Sequence, residues 1–308
     1  MYRFDVQQSN YVIIGGIMPN YKDGKWANEI IRLQKHDGSW GNNFHSLAMP
    51  VSKQPMSTEQ ALRRLLRLGF TKDDAVIKNA LSYMNDCLAG KIAVPDYQEK
   101  RVDFNIFVNL MLAVWIRRFT HNDDLANSVA KKWRVIVEAA FSNGEYDPDI
   151  YIHTLYEVFK PRYGTVSRTK ELLRLDYYYP VSILAREINE SIEQAYYNYV
   201  MDSETGYYYG YVGAVTQPPK YFQSKDASRF LSAVEIYCEH PNEYCKNKLK
   251  SVVNWLNNNK NTNGKWDMGT SVKDGAHFPL SDSWKTTDSR ETDCTYRIEK
   301  IISSLTND

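Results

Sequence analysis

A short turn signal returns five times along this chain: a polar turn, a glycine, one intervening residue and usually an aromatic. The copies are Gly38-Ser39-Trp40, Gly90-Lys91-Ile92, Gly144-Glu145-Tyr146, Gly206-Tyr207-Tyr208 and Gly264-Lys265-Trp266. Their glycines lie roughly 50 to 60 residues apart, the kind of period that marks tandem helical arrays. A helix-like segment precedes each copy and another follows it. A helical repeat needs its neighbour to cover its apolar face, so residues 1–308 read as one continuous domain.

The segments between the signals carry the 3.6-residue pattern of helices, and alternating strand patterns are scarce. Helices are expected over Trp26–Lys35, from Ser57 to Gly69, and from Asp74 to Leu88. Ser57 with Gln60 three residues on has the reciprocal capping arrangement of a helix start. Further segments are Phe104–Phe119, Asp123–Phe141, Ile150–Phe159, Glu187–Met201, Ala227–Cys238, Asn242–Asn258 and Thr292–Leu305. Phe104–Phe119 is apolar almost all round and should be buried on every side, whereas Asp123–Phe141 is amphipathic. Buried and one-faced helices alternate in this way along the chain. The pattern predicts an all-α fold, an α/α toroid of five to six helix hairpins with inner and outer helices. Thr165 to Tyr179 fits the period worst and reads as a short extra helix or an insertion.

Composition narrows the function. Apolar residues make up 43% of the chain, enough for a real core, and the net charge of +1 speaks against a nucleic-acid partner. No apolar run reaches the roughly 18 residues of a membrane span. The amino terminus lacks the basic start and long apolar stretch of a secretory signal, so a cytoplasmic location is expected. The four cysteines, Cys87, Cys238, Cys245 and Cys294, include no CxxC pair and read as buried thiols. Nothing in the residues sets an oligomeric state.

Gln34-Lys35-His36-Asp37-Gly38-Ser39-Trp40 matches the Q-x-x-x-G-x-W core of the QW repeat of squalene and oxidosqualene cyclases. Trp255-Leu256 followed by Gly264-Lys265-Trp266 looks like a degenerate copy. The chain thus resembles the terpenoid cyclase and protein prenyltransferase superfamily of α/α toroids. That resemblance implies structural roles for Gln34 and Trp40, and activity in a cavity enclosed by the inner helices. The superfamily's chemical motifs do not follow. No D-x-D-D acid motif occurs, and the pairs Asp73-Asp74 and Asp123-Asp124 stand at helix starts, where the dipole favours a carboxylate. The D-D-x-x-D magnesium motif is missing. Asp293 and Cys294 are adjacent rather than two apart, and His277 precedes them, so the prenyltransferase zinc spacing fails as well. No metal and no cofactor are expected.

The toroid reading sets the starts of the inner helices around one mouth. Those starts carry an acid with a basic partner: Glu59 with Arg63, Asp226 with Arg229, and Asp293 with Arg297. Spacings of three or four put each pair on one helix face. Asp149 and His153 are four apart, and Asp103 opens the Phe104–Phe119 segment that also holds Asn109. Asp226, Asp293, Asp149 and His153 are the candidates for acid–base catalysis. Glu59, Arg63, Asp103, Asn109, Trp115, Tyr156, Arg229 and Arg297 are the candidates for binding a small molecule in a central cavity. Helix caps and i,i+4 charge pairs account for the same residues without any function.

Tyrosine occurs 23 times, in clusters at Tyr177-Tyr178-Tyr179, at Tyr196-Tyr197 with Tyr199, and at Tyr207-Tyr208-Tyr209 with Tyr211. Aromatic faces can wall a ligand or stabilise a cation; equally, tyrosines fill helix–turn junctions. The polar stretch Asp267–Asp288 is a candidate lid over the mouth or a strap across the join between the first and last hairpins. Three functions remain open on these residues. The first is a terpenoid-cyclase-like protein with a cavity for a small, partly apolar, isoprenoid-like substrate. The second is a carbohydrate-active lyase or hydrolase, and the third a non-catalytic scaffold.

Overall fold

The computed structural model describes residues 19–45, 55–95, 104–160, 173–208 and 210–306. Among them the regular structure is almost all helix. In order, the helices are α1 (Lys25–Arg32), α2 (Thr58–Arg67), α3 (Ala75–Leu88), α4 (Phe104–Arg117), α5 (Asp124–Ala140) and α6 (Pro148–Phe159). Then come α7 (Tyr178–Ile183), α8 (Glu193–Met201), α9 (Lys225–Tyr237), α10 (Glu243–Lys248), α11 (Lys250–Asn258) and α12 (Thr287–Thr306). Two-residue strands β1 (Tyr207–Tyr208) and β2 (Tyr211–Val212) pair antiparallel, and a 3₁₀ turn covers Thr270–Val272.

Local chemistry sets the helix starts. The Ser57 hydroxyl accepts from the Gln60 N–H and the Gln60 side chain accepts from the Ser57 N–H, so the expected capping box forms. Asp123, Asp147, Ser224 and Asn242 cap α5, α6, α9 and α10 with side-chain oxygens. Asp74 stands at the start of α3, but its carboxylate turns back to the Thr71 N–H and to Lys22.

Each of the five turn signals adopts a related bend between two helices. In every copy the glycine N–H bonds a carbonyl three residues earlier: Lys35, Cys87, Phe141, Ser203 and Asn261. The first and last copies match most closely. The Trp40 indole N–H donates to Ile30 O at 2.8 Å, and that of Trp266 donates to Leu256 O at 2.7 Å. The backbone N–H of Trp40 meets the Thr58 hydroxyl, and that of Trp266 meets the Thr295 hydroxyl. Gln34 ties the first turn to α3 by donating to Gly38 O and Val76 O. The matching position in the last copy is Lys260, whose ammonium lies over the Trp266 ring. Gly38 has φ +92, and a Cβ there would fall 2.3 Å from Asn79 O, so only glycine lets α3 pack this close to the turn.

Burial alternates as the apolar patterns require. All six residues of α7 are buried, as are most of those in α2 and α9. In contrast, α1 buries Ala27 and Ile30, and α11 buries Val252 and Leu256. The buried helices are linked in series. Trp115 of α4 donates to Glu59 of α2 at 3.0 Å, α4 packs on α7, and α7 packs on α9. Arg297 of α12 bonds Ser232 and Glu235 of α9, and Arg67 of α2 reaches the same two side chains.

The segment before α12 joins this last helix to the first. Asp293 is fully buried and takes five hydrogen bonds. They come from the Tyr21 hydroxyl (2.9 Å), the N–H groups of Leu280 (2.6 Å) and Ser281 (2.9 Å), the Ser281 hydroxyl (3.0 Å) and the Trp284 indole (2.6 Å). On the other side, the Trp26 indole donates to Ser281 O, the Lys25 N–H to Asp282, and Arg64 to Pro279 O.

Several expectations about individual elements are corrected. α12 begins at Thr287, so Asp293 lies well inside the helix rather than at its start. The buried helix after the third turn is the short α7, while α6 buries only Tyr151 and Leu155. The expected Glu187–Met201 helix starts at Glu193, and Asn242–Asn258 is broken at Leu249. Cys238 directly follows α9 and Cys245 lies on α10, and both thiols are free.

Candidate functional site

A cavity of about 340 Å³ lies among α2, α9, α12, the residue that follows α4, and the strap before α12. Its wall is partly apolar, with Leu66, Cys238, Leu280, Tyr296 and Ile301. The remainder is dense in charge: Arg63, Arg67, Arg118, Arg297 and Lys300 face Glu235 and Glu239.

Helical spacing builds this lining. Arg63 and Arg67 are one turn apart on α2, and Arg297 and Lys300 lie three apart on α12. The Glu235 carboxylate is shared between two guanidinium groups. Arg297 donates through Nε to Oε1 and through Nη2 to Oε2 (3.2 Å), while Arg67 Nη2 donates to Oε2 at 3.3 Å. Ser232 Oγ accepts from both arginines, at 2.8 Å from Arg297 and 3.0 Å from Arg67. Burial opposes the charge of Glu235, but Arg297 and Arg67 outweigh it and hold the carboxyl at about 2. Opposite, Arg118 donates twice to Glu239 Oε1 (2.9 and 2.6 Å) and once to the Tyr178 hydroxyl (2.9 Å).

Asp274 and His277 form a buried pair in the strap. Asp274 Oδ1 accepts the backbone N–H groups of Ala276 and His277, and Oδ2 accepts from His277 Nδ1 at 2.7 Å. With its Nδ1 proton directed at a carboxylate, His277 keeps Nε2 as an acceptor. Burial, then the charge of Arg67, draw the imidazole down to about 3 against the pull of Asp274, so it is neutral at physiological pH.

A second buried cluster stands on Glu59, which is fully enclosed. It accepts from Trp115 Nε1 (3.0 Å), the Tyr179 hydroxyl (2.5 Å) and His45 Nδ1 (3.0 Å). Burial alone would raise its pKa; the charge and hydrogen bond of His45, then Tyr179 and Arg63, outweigh burial and leave it at about 2. The ordinary glutamate value is 4.5. A carboxyl depressed in the fold stabilises it fully above the unfolded pKa, and that contribution fades as pH falls from about 4.5 toward about 2. The depression corresponds to about 3 kcal/mol. Urea unfolding at stepped pH should therefore show a steep acid limb in that window, flattened in E59Q. An unchanged slope in E59Q would remove Glu59 as its source.

The sequence candidates fall into different places. Arg63 and Arg297 line the cavity. Glu59 and Trp115 meet in the cluster beside Arg63. Asp293 pins the strap. Asp226 is 78% exposed and stands 4.0 Å from Arg229, also on the surface. Asp149 and His153 are both exposed on α6, and His153 pairs with Glu157 at 3.1 Å. Tyr156 shares that helix, and Asn109 is half-buried on α4. Asp103 lies outside the described residues.

The sequence reading missed Arg67, Arg118, Glu235, Glu239 and Lys300. Glu235 carried the clearest signal, a lone acid inside the apolar run Ala233-Val234-Glu235-Ile236-Tyr237. The tyrosine clusters turn inward: Tyr178, Tyr179, Tyr196, Tyr197 and Tyr208 are all buried. Among the described residues, no group of three or more His, Cys, Asp or Glu side chains could hold a metal ion, and no helix is long and apolar enough to cross a membrane. Comparisons with protein-family models, curated proteins and solved structures found no match.

Proposed function

We propose that this protein is a terpenoid-cyclase-like α/α toroid whose central cavity binds a small, partly apolar molecule. Five turn-linked hairpins support the ring, as do contacts that pass from one buried helix to the next and return through the strap to α1 and α2. The observation that carries the binding reading is the cavity itself. Its volume of about 340 Å³ lies at the lower end of the range for ligand pockets. Its wall combines aliphatic and aromatic surface with seven charged side chains, more charge than such sites usually carry, which suits a ligand with a polar end.

Within this reading, Leu66, Leu280, Tyr296 and Ile301 receive the apolar body of the ligand, and the guanidinium groups fix its polar end. Acid–base chemistry would fall to groups beside the cavity, not to Asp226, Asp149 or His153, which are exposed. Differential scanning fluorimetry against a panel of short isoprenoid and aromatic alcohols, acids and esters tests the proposal. A ligand that binds only the folded state raises the melting temperature with concentration. A second measurement must place it: replacing Ile301 by tryptophan to fill the cavity should abolish the shift. No stabilising ligand across the panel, or an undiminished shift in the filled variant, would sink the reading.

A further inference from the structure

Three buried guanidinium nitrogens beside the cavity have no hydrogen-bond partner among the described residues: Arg67 Nε, Arg67 Nη1 and Arg297 Nη1. The side chains that carry them are 11% and 4% exposed, and both residues line the cavity. They do not stand apart, since Arg67 and Arg297 lean on the same Glu235 carboxylate and the same Ser232 hydroxyl. One carboxylate cannot satisfy two forked guanidinium groups, each with five N–H donors. Buried donors are almost always paired, with protein, water or a ligand.

Charge points the same way. The lining holds five cations and two carboxylates, and with Glu59 beside Arg63 a surplus of two positive charges remains. His277, next to Arg67 and Arg297 in the field that acts on it, adds no positive charge of its own. A monocarboxylate ligand brings one negative charge and two acceptor oxygens. A phosphate monoester brings roughly 1.5 to 2 negative charges and three strong acceptor oxygens. Paired binding through either fork is not open to the ligand, because Nη2 of both arginines is held by Glu235 and Ser232; single hydrogen bonds from both guanidinium groups at once suit the larger charge and the three oxygens of the second group.

Resting on the reading of the cavity as a ligand site, we infer that its ligand carries a phosphate monoester, seated on Arg67 and Arg297 with an apolar or aromatic body against Leu66, Leu280 and Ile301. Glu235 holds the two guanidinium groups side by side. It also limits their surplus charge, so that binding is not indiscriminate toward anions.

Titration calorimetry with phenyl phosphate, inorganic phosphate, benzoate and phenol tests this on the intact protein. Phenyl phosphate should bind at least tenfold more tightly than benzoate or inorganic phosphate. Arg67→Gln should weaken phenyl phosphate at least tenfold and leave phenol within about twofold, since Arg297 keeps Glu235 paired. Should that variant not fold, the ligand order on the wild-type protein still decides. Benzoate binding as tightly as phenyl phosphate overturns the phosphate assignment and leaves the cavity reading intact. Inorganic phosphate binding as tightly as phenyl phosphate, with no affinity for phenol, overturns the apolar pocket and leaves an anion site. Absence of binding by all four overturns both.

Discussion

Asp293→Ala is expected to cost about 3–5 kcal/mol of folding stability, the range for stripping the partner from several buried polar groups at once. Five donors converge on this carboxylate, from residues 21, 280, 281 and 284. Alanine leaves the buried Tyr21, Leu280 and Trp284 donors without this acceptor and opens a void, while the half-buried Ser281 hydroxyl can still turn to Ser283 O. Asparagine is the informative comparison. Its amide oxygen can take the place of Oδ2, which receives four of the five bonds, and its NH₂ then faces the Tyr21 hydroxyl, which can turn to accept. What D293N gives up is the charge on those bonds, about 1–2 kcal/mol in total. Urea unfolding followed by circular dichroism should rank wild type above D293N and D293N well above D293A. Equal midpoints for all three would mean that the strap does not depend on this carboxylate. D293N, if folded, also separates support from chemistry, because a purely structural residue leaves ligand binding in place.

The second large effect is expected at Glu235. Replacing it by leucine leaves Arg67 and Arg297 close together in the interior with no shared counter-charge. Removing one member of a buried ion pair costs about 3–5 kcal/mol, because the remaining charge is uncompensated. Two arginines are stranded here rather than one, which favours the upper end. About a fifth of the Glu235 side chain is exposed, which lets water relieve part of that cost. The compensating change is a sharp check. E235L combined with R67L removes one charge of each sign, and the double variant should recover part of the lost stability in the same unfolding assay. If the double variant loses as much as the E235L and R67L losses added together, the charges are not coupled.

How far the chain could be read beforehand depended on whether periodicity or partnership was at stake. The apolar run from Phe104 to Ile116 identified α4 and its all-round burial, because fourteen residues of helix repeat the pattern several times. α7 escaped because six residues are too few for a 3.6-residue period, and Pro180 in its first turns reads as a break. The start of α12 was placed five residues late, which turned Asp293 from an interior residue into an apparent helix cap. The site was legible only in part for a related reason. Arg63 and Arg297 were found through acid partners at i,i+4 spacing, yet their cavity neighbours lie on other helices. Glu235 meets Arg67 across 168 residues of chain, a relation no local window contains.

The stitching of the strap to α1 has a consequence for biogenesis. Tyr21 and Asp293 share a hydrogen bond across 272 positions, and Trp26 and Ser281 across 255. During synthesis α1 can dock on α2 and meet Trp40 early, but the Tyr21 hydroxyl and the Trp26 indole lack their partners until the strap and α12 have been made. Until then those two polar groups face water or a wrong partner, and the arrival of the strap ends that interval.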